Sequence, residues 1–501
     1  MSQYSSIPGA GHSDVGIQRE TIWLWLIVIM GALVRLYRLD YQSLWLDEGW
    51  QYSIASAQSL RDVLARSLEP SAAHPPLSYL INHLFLQVHD SDFLFRLPSV
   101  LFGIGSLPLC YLVARRLASP AAAVWAVVVL ALSPLHLWYS QEARMYAQLV
   151  FLSLLSTLFL CKALERAHKK WWVLYVLTVT AGMYTHLFMA FSIITHGIWI
   201  ARHYRDHLLS YGISLAAVGT CFVVPLSHFL WQGYKTFNKP SGGAGFTWGA
   251  LPYTLFTYAA GFSLGPNIAE LHEDRSLSFI VQFLPSILAV GTVFGTLFIS
   301  GVCRALKYRD TQYLALCLLS LCFPLAGVVI FSLGPRFTFN VRYTVIALPY
   351  FCIFIGIALS YAYTRKNLVG MALVLAFFVI SSISLYNYFS NAWYAKEDVR
   401  SAVRLFQKTA QENEKILSFN EKYTVDRYLS ESEKYRHFSL RDSLNVAEYI
   451  NEFFSIHGIS HVYLLLARDW NKVVETEIYN AFSVSDTEEF NGVKMLKIYK
   501  R

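Results

Sequence analysis

The run FRLPSVLFGIGSLPLCYLVARRL, residues 95–117, decides the fold. Between 97 and 114 it carries no charge, a length that suits a transmembrane helix, which needs roughly 17 to 25 residues. It ends in the paired bases of ARRL, and short cytoplasmic loops are enriched in Lys and Arg. Arg115 and Arg116 therefore turn this end inward. Similar apolar runs lie near 20–38, 121–139, 147–164, 209–231, 277–301, 312–333, 343–363 and 367–389. The region 171–200 is too long for one span and divides into two short helices meeting near MYTHLF, for a total of about eleven. With the N-terminus inside, the inward loops ARRL, KALERAHKK, ARHYRDH, CRALKYRD and TRKN are all basic. The opposite side receives Asp47 and Glu48, SQEARMY, the loop of residues 232–276, PRFTFNVRY and everything after about residue 390. Making PLSYLINHLFLQV a full span would turn ARRL outward, so it reads as a short helix lying at the outer interface.

Composition agrees with a polytopic membrane protein. Of 501 residues 55% are hydrophobic and only 15% charged, too apolar for a water-soluble globule of this size. The formal net charge of +8 sits in short clusters between apolar runs, which is membrane topology and excludes a nucleic-acid partner. The seven cysteines form no CxxC or Cys/His metal spacing and read as packing residues. The first 18 residues are a polar, flexible cytoplasmic segment, and the apolar run after them has no small-residue cleavage site, so it reads as a retained span rather than a signal peptide. After Asn391 charges become frequent, and KILSF and HVYLLLA alternate with helical patterns such as EDVRSAVRLFQKTA. The expected architecture is a mainly α membrane helix bundle, residues 19–390 with a first outer loop at 39–96, followed by an outward-facing α/β domain at 391–501.

Chemistry gathers on the outer face. SLWLDEGWQYSIA (43–55) sets Asp47 beside Glu48 among Leu44, Trp45, Leu46 and Trp50. A charge beside hydrocarbon is costly unless paired or facing a wet cavity, which makes this pair a catalytic candidate, and such a carboxylate can take a proton from a hydroxyl. In HPPLSYL two prolines present His74 on a rigid corner. SQEARMYAQL places Glu142, Arg144 and Tyr146 at the outer mouth of two spans, and FNVRYTVIALPYF starts another with Arg342 and Tyr343. An arginine at an outward end runs against the basic-inside trend and suits anion binding. His186 in YTHLF completes the set. There is no P-loop, no GxGxxG between strand and helix, no HExxH and no GxSxG, so nucleotide-driven transport and soluble-type hydrolysis lack their signatures.

In order, RLYRLDYQSLWLDEGWQYSIA, HPPLSYLINHLFL, FRLPSVLFGIGSLPLCYLVARRL, SQEARMYAQLVFLSLL and FNVRYTVIALPYF resemble the bacterial membrane glycosyltransferases related to the protein O-mannosyltransferases and the aminoarabinose transferases, over about residues 20–390. YAKEDVRSAVRLF resembles the start of the tail domain seen in many such proteins. The resemblance implies a GT-C type enzyme of the cytoplasmic membrane that uses a polyprenyl-phosphate sugar. It places the catalytic Asp at Asp47, followed by Glu48, and implies inverting transfer to an acceptor hydroxyl. Arg144, Arg342 and His74 are the candidates for the leaving phosphate. The aminoarabinose enzymes carry Lys before PPL, where this chain has His74 as the O-mannosyltransferases do; a neutral imidazole brings no charge. No cofactor is firmly implied and no metal ligands are assigned, with the participation of a divalent cation left open. The expected partners are membrane lipids, the polyprenyl-phosphate sugar donor, and a lipid, glycan or protein acceptor.

Two other classes compete. A carrier or flippase for lipid-linked sugars would use the same acids and arginines only to bind, and predicts movement across the bilayer without bond cleavage. An assembly protein working through its tail domain predicts neither movement nor turnover.

Overall fold

The helix Leu348–Arg365 is apolar all round and, as that pattern requires, lies at the centre of the bundle with nearly every residue buried. The computed structural model describes residues 14–69, 74–166, 168–235, 246–307, 311–334, 337–440 and 445–501. Two neighbouring helices approach the central one through glycine. A Cβ at Gly356 would stand 2.4 Å from the Ala126 nitrogen in Pro120–Leu132. One at Gly301, in Leu284–Ala305, would stand 1.9 Å from the Phe354 carbonyl oxygen. Small residues let helix backbones come this close where no hydrophobic force between helices exists. Toward the outside, Leu368, Leu375 and Ile299 are exposed, as side chains facing lipid should be.

Seven helices among the described residues are long and apolar enough to cross a membrane, and Pro120–Leu132 with Pro134–Ser140, bent by 60°, makes an eighth. Asp14–Leu36, Lys169–Thr185 and Met189–His203 occupy the other three expected positions. The first carries Glu20 and Arg35, and the other two have 17 and 15 residues. The 60° bend has a local cause. Pro134 lacks an N–H, and the Ser133 hydroxyl accepts from His136 N–H, so a new helix starts there. The Leu130 and Ala131 carbonyls left over at the break accept from the fully buried Arg35 guanidinium, which also meets His136 Nδ1 at 2.7 Å.

Boundaries differ from expectation in three places. Helix begins at Asp14 rather than residue 19, and residues 1–13 of the expected flexible segment lie outside the described residues. The run 277–301 is divided: Leu277–Val281 stops and a span starts at Leu284, where Pro285 fits the first turn. The first outer loop contains the helices Leu46–Ala55, Leu60–Ser67 and Leu77–Leu86, the last being the expected short interfacial helix. It ends at Ser91, whose hydroxyl caps the span Asp92–Leu117. Of the long outer loop, residues 236–245 lie outside the described residues.

The tail is α/β, with strands β1 (Ile416–Phe419), β2 (His437–Ser439), β3 (His461–Ala467), β4 (Ser483–Phe490) and β5 (Val493–Tyr499) in the order β2-β1-β3-β5-β4. β2, β1 and β3 are parallel; β5 and β4 add antiparallel. β3 is buried along six of its seven residues because apolar clusters cover both faces of the sheet. The edge strand β4, SVSDTEEF, is mostly exposed and acidic, which discourages edge pairing. The tail docks on the first outer loop and on the start of the span that follows it. Arg400 and Arg427 both pair with Asp92, Tyr428 donates to Asp92, and Gly49 sits against Thr424 so closely that a Cβ would come within 2.5 Å.

Candidate active site

Asp47 and Glu48 occupy the first turn of Leu46–Ala55. Successive helical residues do not face the same way, so the two acids diverge. Asp47 keeps 22% of its side chain exposed and meets Arg342 Nη1 at 2.5 Å and Arg144 Nη2 at 4.0 Å. Arg144 also donates to the Asp47 carbonyl at 3.1 Å, fixing helix and arginine together. Burial pushes the Asp47 carboxyl up, but Arg144, Arg342 and Arg468 overcome it and hold it below the usual carboxylate range.

Glu48 is fully buried. Arg96 grips both its oxygens, at 2.8 and 2.7 Å, Ala143 N–H donates at 2.8 Å and Lys396 Nζ stands 3.5 Å away. The same Arg96 donates to the carbonyls of Leu39, Gln42 and Ser43, so one guanidinium holds the acid and the chain leading to it. Against the upward push of burial, Arg96 and Lys396 bring the Glu48 carboxyl down to about 2. Glu142, also buried, accepts from Trp138 Nε1 at 2.7 Å and lies 3.2 Å from Lys396 Nζ. Burial raises its carboxyl despite that lysine, with Glu48 adding repulsion.

The remaining expected residues surround Asp47. His74 and His186 stand ring to ring at 5.2 Å, and Tyr146 is 6.1 Å from His186. His186 Nδ1 accepts from Phe188 N–H, which leaves Nε2 as the protonated nitrogen of a neutral ring. Burial, with Arg144, His186 and Arg342 nearby, holds His74 well below the ordinary histidine value, so it is neutral at pH 7. Tyr343 lies under the Arg342 guanidinium at 5.6 Å. The expected residues thus form two groups: Asp47, His74, Arg144, Tyr146, His186, Arg342 and Tyr343 together, and Glu48 with Glu142 around Lys396.

Lys396 and Arg96 carried no expectation from sequence, nor did Arg468, whose guanidinium pairs with Glu397 at 2.7 Å and lies 5.0 Å from the Trp45 ring. The available signal was a charged residue, Lys396, directly after the last span, and Arg96 inside an otherwise apolar run. Among the described residues no group of three or more His, Cys, Asp or Glu side chains could hold a metal ion.

The whole chain superposes on ArnT from Cupriavidus metallidurans in the apo state with a TM-score of 0.60 at 12% identity, covering 96% of this chain and 98% of that one. The fold is of the GT-C type. The GT-C likeness extends to the same ArnT bound to undecaprenyl phosphate, with a TM-score of 0.57, 12% identity and coverage of 95% and 98%. It extends also to the Archaeoglobus fulgidus oligosaccharyltransferase AglB in complex with an inhibitory peptide and a dolichol-phosphate, with a TM-score of 0.54, 12% identity and coverage of 89% and 69%. Residues 73–231 match the family described as dolichyl-phosphate-mannose-protein mannosyltransferase, a stretch that includes His74, Glu142, Arg144, Tyr146 and His186. No curated protein sequence matches the chain.

Proposed function

We propose that this chain is a multi-pass glycosyltransferase of the cytoplasmic membrane, moving a sugar from a polyprenyl-phosphate donor to an acceptor hydroxyl on the outer face, with inversion and with Asp47 as general base. The observation that carries the reading is the Asp47–Arg342–Arg144 cluster: one partly exposed carboxylate held ionised by two arginines on a GT-C fold. The undecaprenyl phosphate in the similar ArnT structure supports a lipid-phosphate donor. In a single displacement the acceptor O–H gives its proton to Asp47, the oxygen bonds to the anomeric carbon, and the bond to phosphate breaks with its electron pair. Arg144 and Arg342 stabilise the charge that collects on the departing phosphate.

A depressed pKa makes Asp47 a weak base but keeps it ionised through the neutral range, so its contribution is orientation and charge as well as proton transfer. His74 and His186, both neutral, serve as hydrogen-bonding walls, and Tyr146 and Tyr343 complete the pocket. Glu48 and Glu142 act through position: they hold the helix of Asp47 and the loop of Arg144 against the tail. The purified protein, given a labelled polyprenyl-phosphate sugar and fractions of envelope lipid, glycan or protein, should release polyprenyl phosphate only when an acceptor is present. Movement of the lipid-linked sugar across vesicles with no bond broken would replace the enzyme by a carrier. Tags in KALERAHKK and after Arg501 should lie on opposite sides of the membrane; an impermeant reagent reaching both in spheroplasts would overturn the topology.

A further inference from the structure

A cavity of about 340 Å³ opens between the bundle and the tail domain, within the size range of small-molecule sites. Arg342, the residue that grips Asp47, is in its wall, so Asp47 stands one side chain behind it, whereas His74, Arg144, His186 and Tyr146 are further members of the site outside the wall. Most of the rest comes from outside the spanning helices: Trp45 from the first outer loop, His272 from the long outer loop, and Lys396, Arg468 and Trp470 from the tail. The ring of His272 stacks on that of Trp470 at 5.3 Å and 11°, fastening loop to tail across the opening. A polyprenyl chain belongs in hydrocarbon, so the reactant suited to this cavity is the one that arrives from water.

The walls specify its chemistry. Indoles line the cavity at Trp45, Trp138, Trp393 and Trp470, broad faces on which the C–H side of a sugar ring packs. Three buried polar atoms of lining residues have no partner in the protein, Trp45 Nε1, Arg342 Nε and Glu142 Oε2, while Arg468 Nε faces the Glu421 carboxylate at 3.6 Å. Buried polar groups are normally satisfied, and leaving one bare costs roughly 1 to 3 kcal/mol. Two of the three are donors and one is a carboxyl oxygen. Hydroxyls, which both give and take a hydrogen bond, answer both kinds; an acyl chain answers neither.

We propose that this cavity is the acceptor site and that the acceptor is a carbohydrate, bound by the tail-domain residues Arg468 and Trp470 with a hydroxyl directed toward Asp47. This rests on the glycosyltransferase reading above. The test uses the full chain in lipid nanodiscs and three probes: methyl glycosides of common hexoses and pentoses, N-acetylserine amide, and undecaprenyl phosphate. Saturation-transfer NMR should detect a glycoside and not the serine amide. Trp470→Ala and the structurally milder Trp393→Ala, at a side chain 56% exposed, should each weaken glycoside binding roughly tenfold, ~1.4 kcal/mol, and leave undecaprenyl phosphate binding unchanged. A signal from the serine amide alone, or glycoside binding indifferent to both substitutions, would overturn the proposal. Undecaprenyl phosphate bound with no glycoside overturns the carbohydrate acceptor and spares the glycosyltransferase; neither probe bound overturns both.

Discussion

The Asp47 face and the Glu48 face of the helix Leu46–Ala55 are one residue apart in the chain and differ in what governs a carboxylate. Asp47 is partly exposed, its arginines Arg144 and Arg342 stand beside a cavity or a ring of histidines and tyrosines, and the tail acts on it through the charge of Arg468. Glu48 is enclosed by Arg96, Lys396 and Ala143 N–H with no access for a second reactant. Identical chemistry thus becomes a site in one direction and a joint in the other, and the difference lies in what remains unfilled around the charge. Replacing each acid by its amide should separate the roles most sharply. Asp47→Asn should cut sugar transfer by on the order of a hundred to ten thousand fold with thermal stability kept. Glu48→Gln should lower stability while the protein that stays folded turns over at a near-normal rate. Equal loss of turnover in both, at matched stability, would erase the distinction.

The joint can be attacked from its cationic side. Arg96→Met leaves Glu48 buried without its main partner, a change expected to cost about 3 to 5 kcal/mol, read as a large drop in melting temperature and as protease access at the junction of bundle and tail. The site side responds more gently: Arg342→Lys keeps a charge but loses the planar fork, and should weaken use of the lipid donor roughly tenfold, ~1.4 kcal/mol. Acid sharpens the contrast further. Glu48 is held at about 2 in the fold, below the roughly 4.3 of a free glutamate. The stability it contributes is present above the higher value and is lost as pH falls through the lower, and Glu48→Gln should flatten the acid limb of a melting-temperature profile. The smallest effect concerns Glu421 in the tail, whose burial, opposed by Arg468, raises its carboxyl to about 8. Its folded form prefers the proton, so stability falls as pH rises from the roughly 4.3 of a free glutamate to about 8 and is level above that; Glu421→Gln should gain thermal stability at pH 9 and none at pH 4.

The spans were legible because a membrane leaves two strong records, length of apolar run and placement of bases, and even the short pair around His186 followed from a run too long for one helix and too short for two ordinary ones. The outer-face residues were legible because charge beside hydrocarbon is rare. Lys396 was not, since it meets Glu48 across 348 residues of sequence and no period links them. Nor could sequence separate Asp47 from Glu48: both are acids in the same aromatic setting, and only their directions off the helix give one to Arg342 and the other to Arg96. Geometry can mislead as well. In the tail, Ser418 Oγ meets His437 Nε2 at 2.7 Å and His437 Nδ1 meets Asp426 at 2.5 Å, the order of a nucleophilic triad. Ser418 is wholly buried, so this series of bonds ties β1 to β2 and to the helix Lys422–Tyr428.

Lys396, shared by Glu48 and Glu142, imposes a timetable on biosynthesis. A ribosome delivers chains N-terminus first, so both acids enter the membrane long before the ammonium group they share has been made. Until the last fifth of the polypeptide has been translated, exported and folded, the nascent protein holds two incompletely compensated charges at the mouth of its bundle, a state that chaperones and membrane proteases can distinguish from the finished one. Stalled chains ending before residue 396 should therefore turn over faster in a pulse-chase than chains carried through residue 501. Before residue 396 is made, the walls that Lys396, Arg468 and Trp470 give the cavity do not exist.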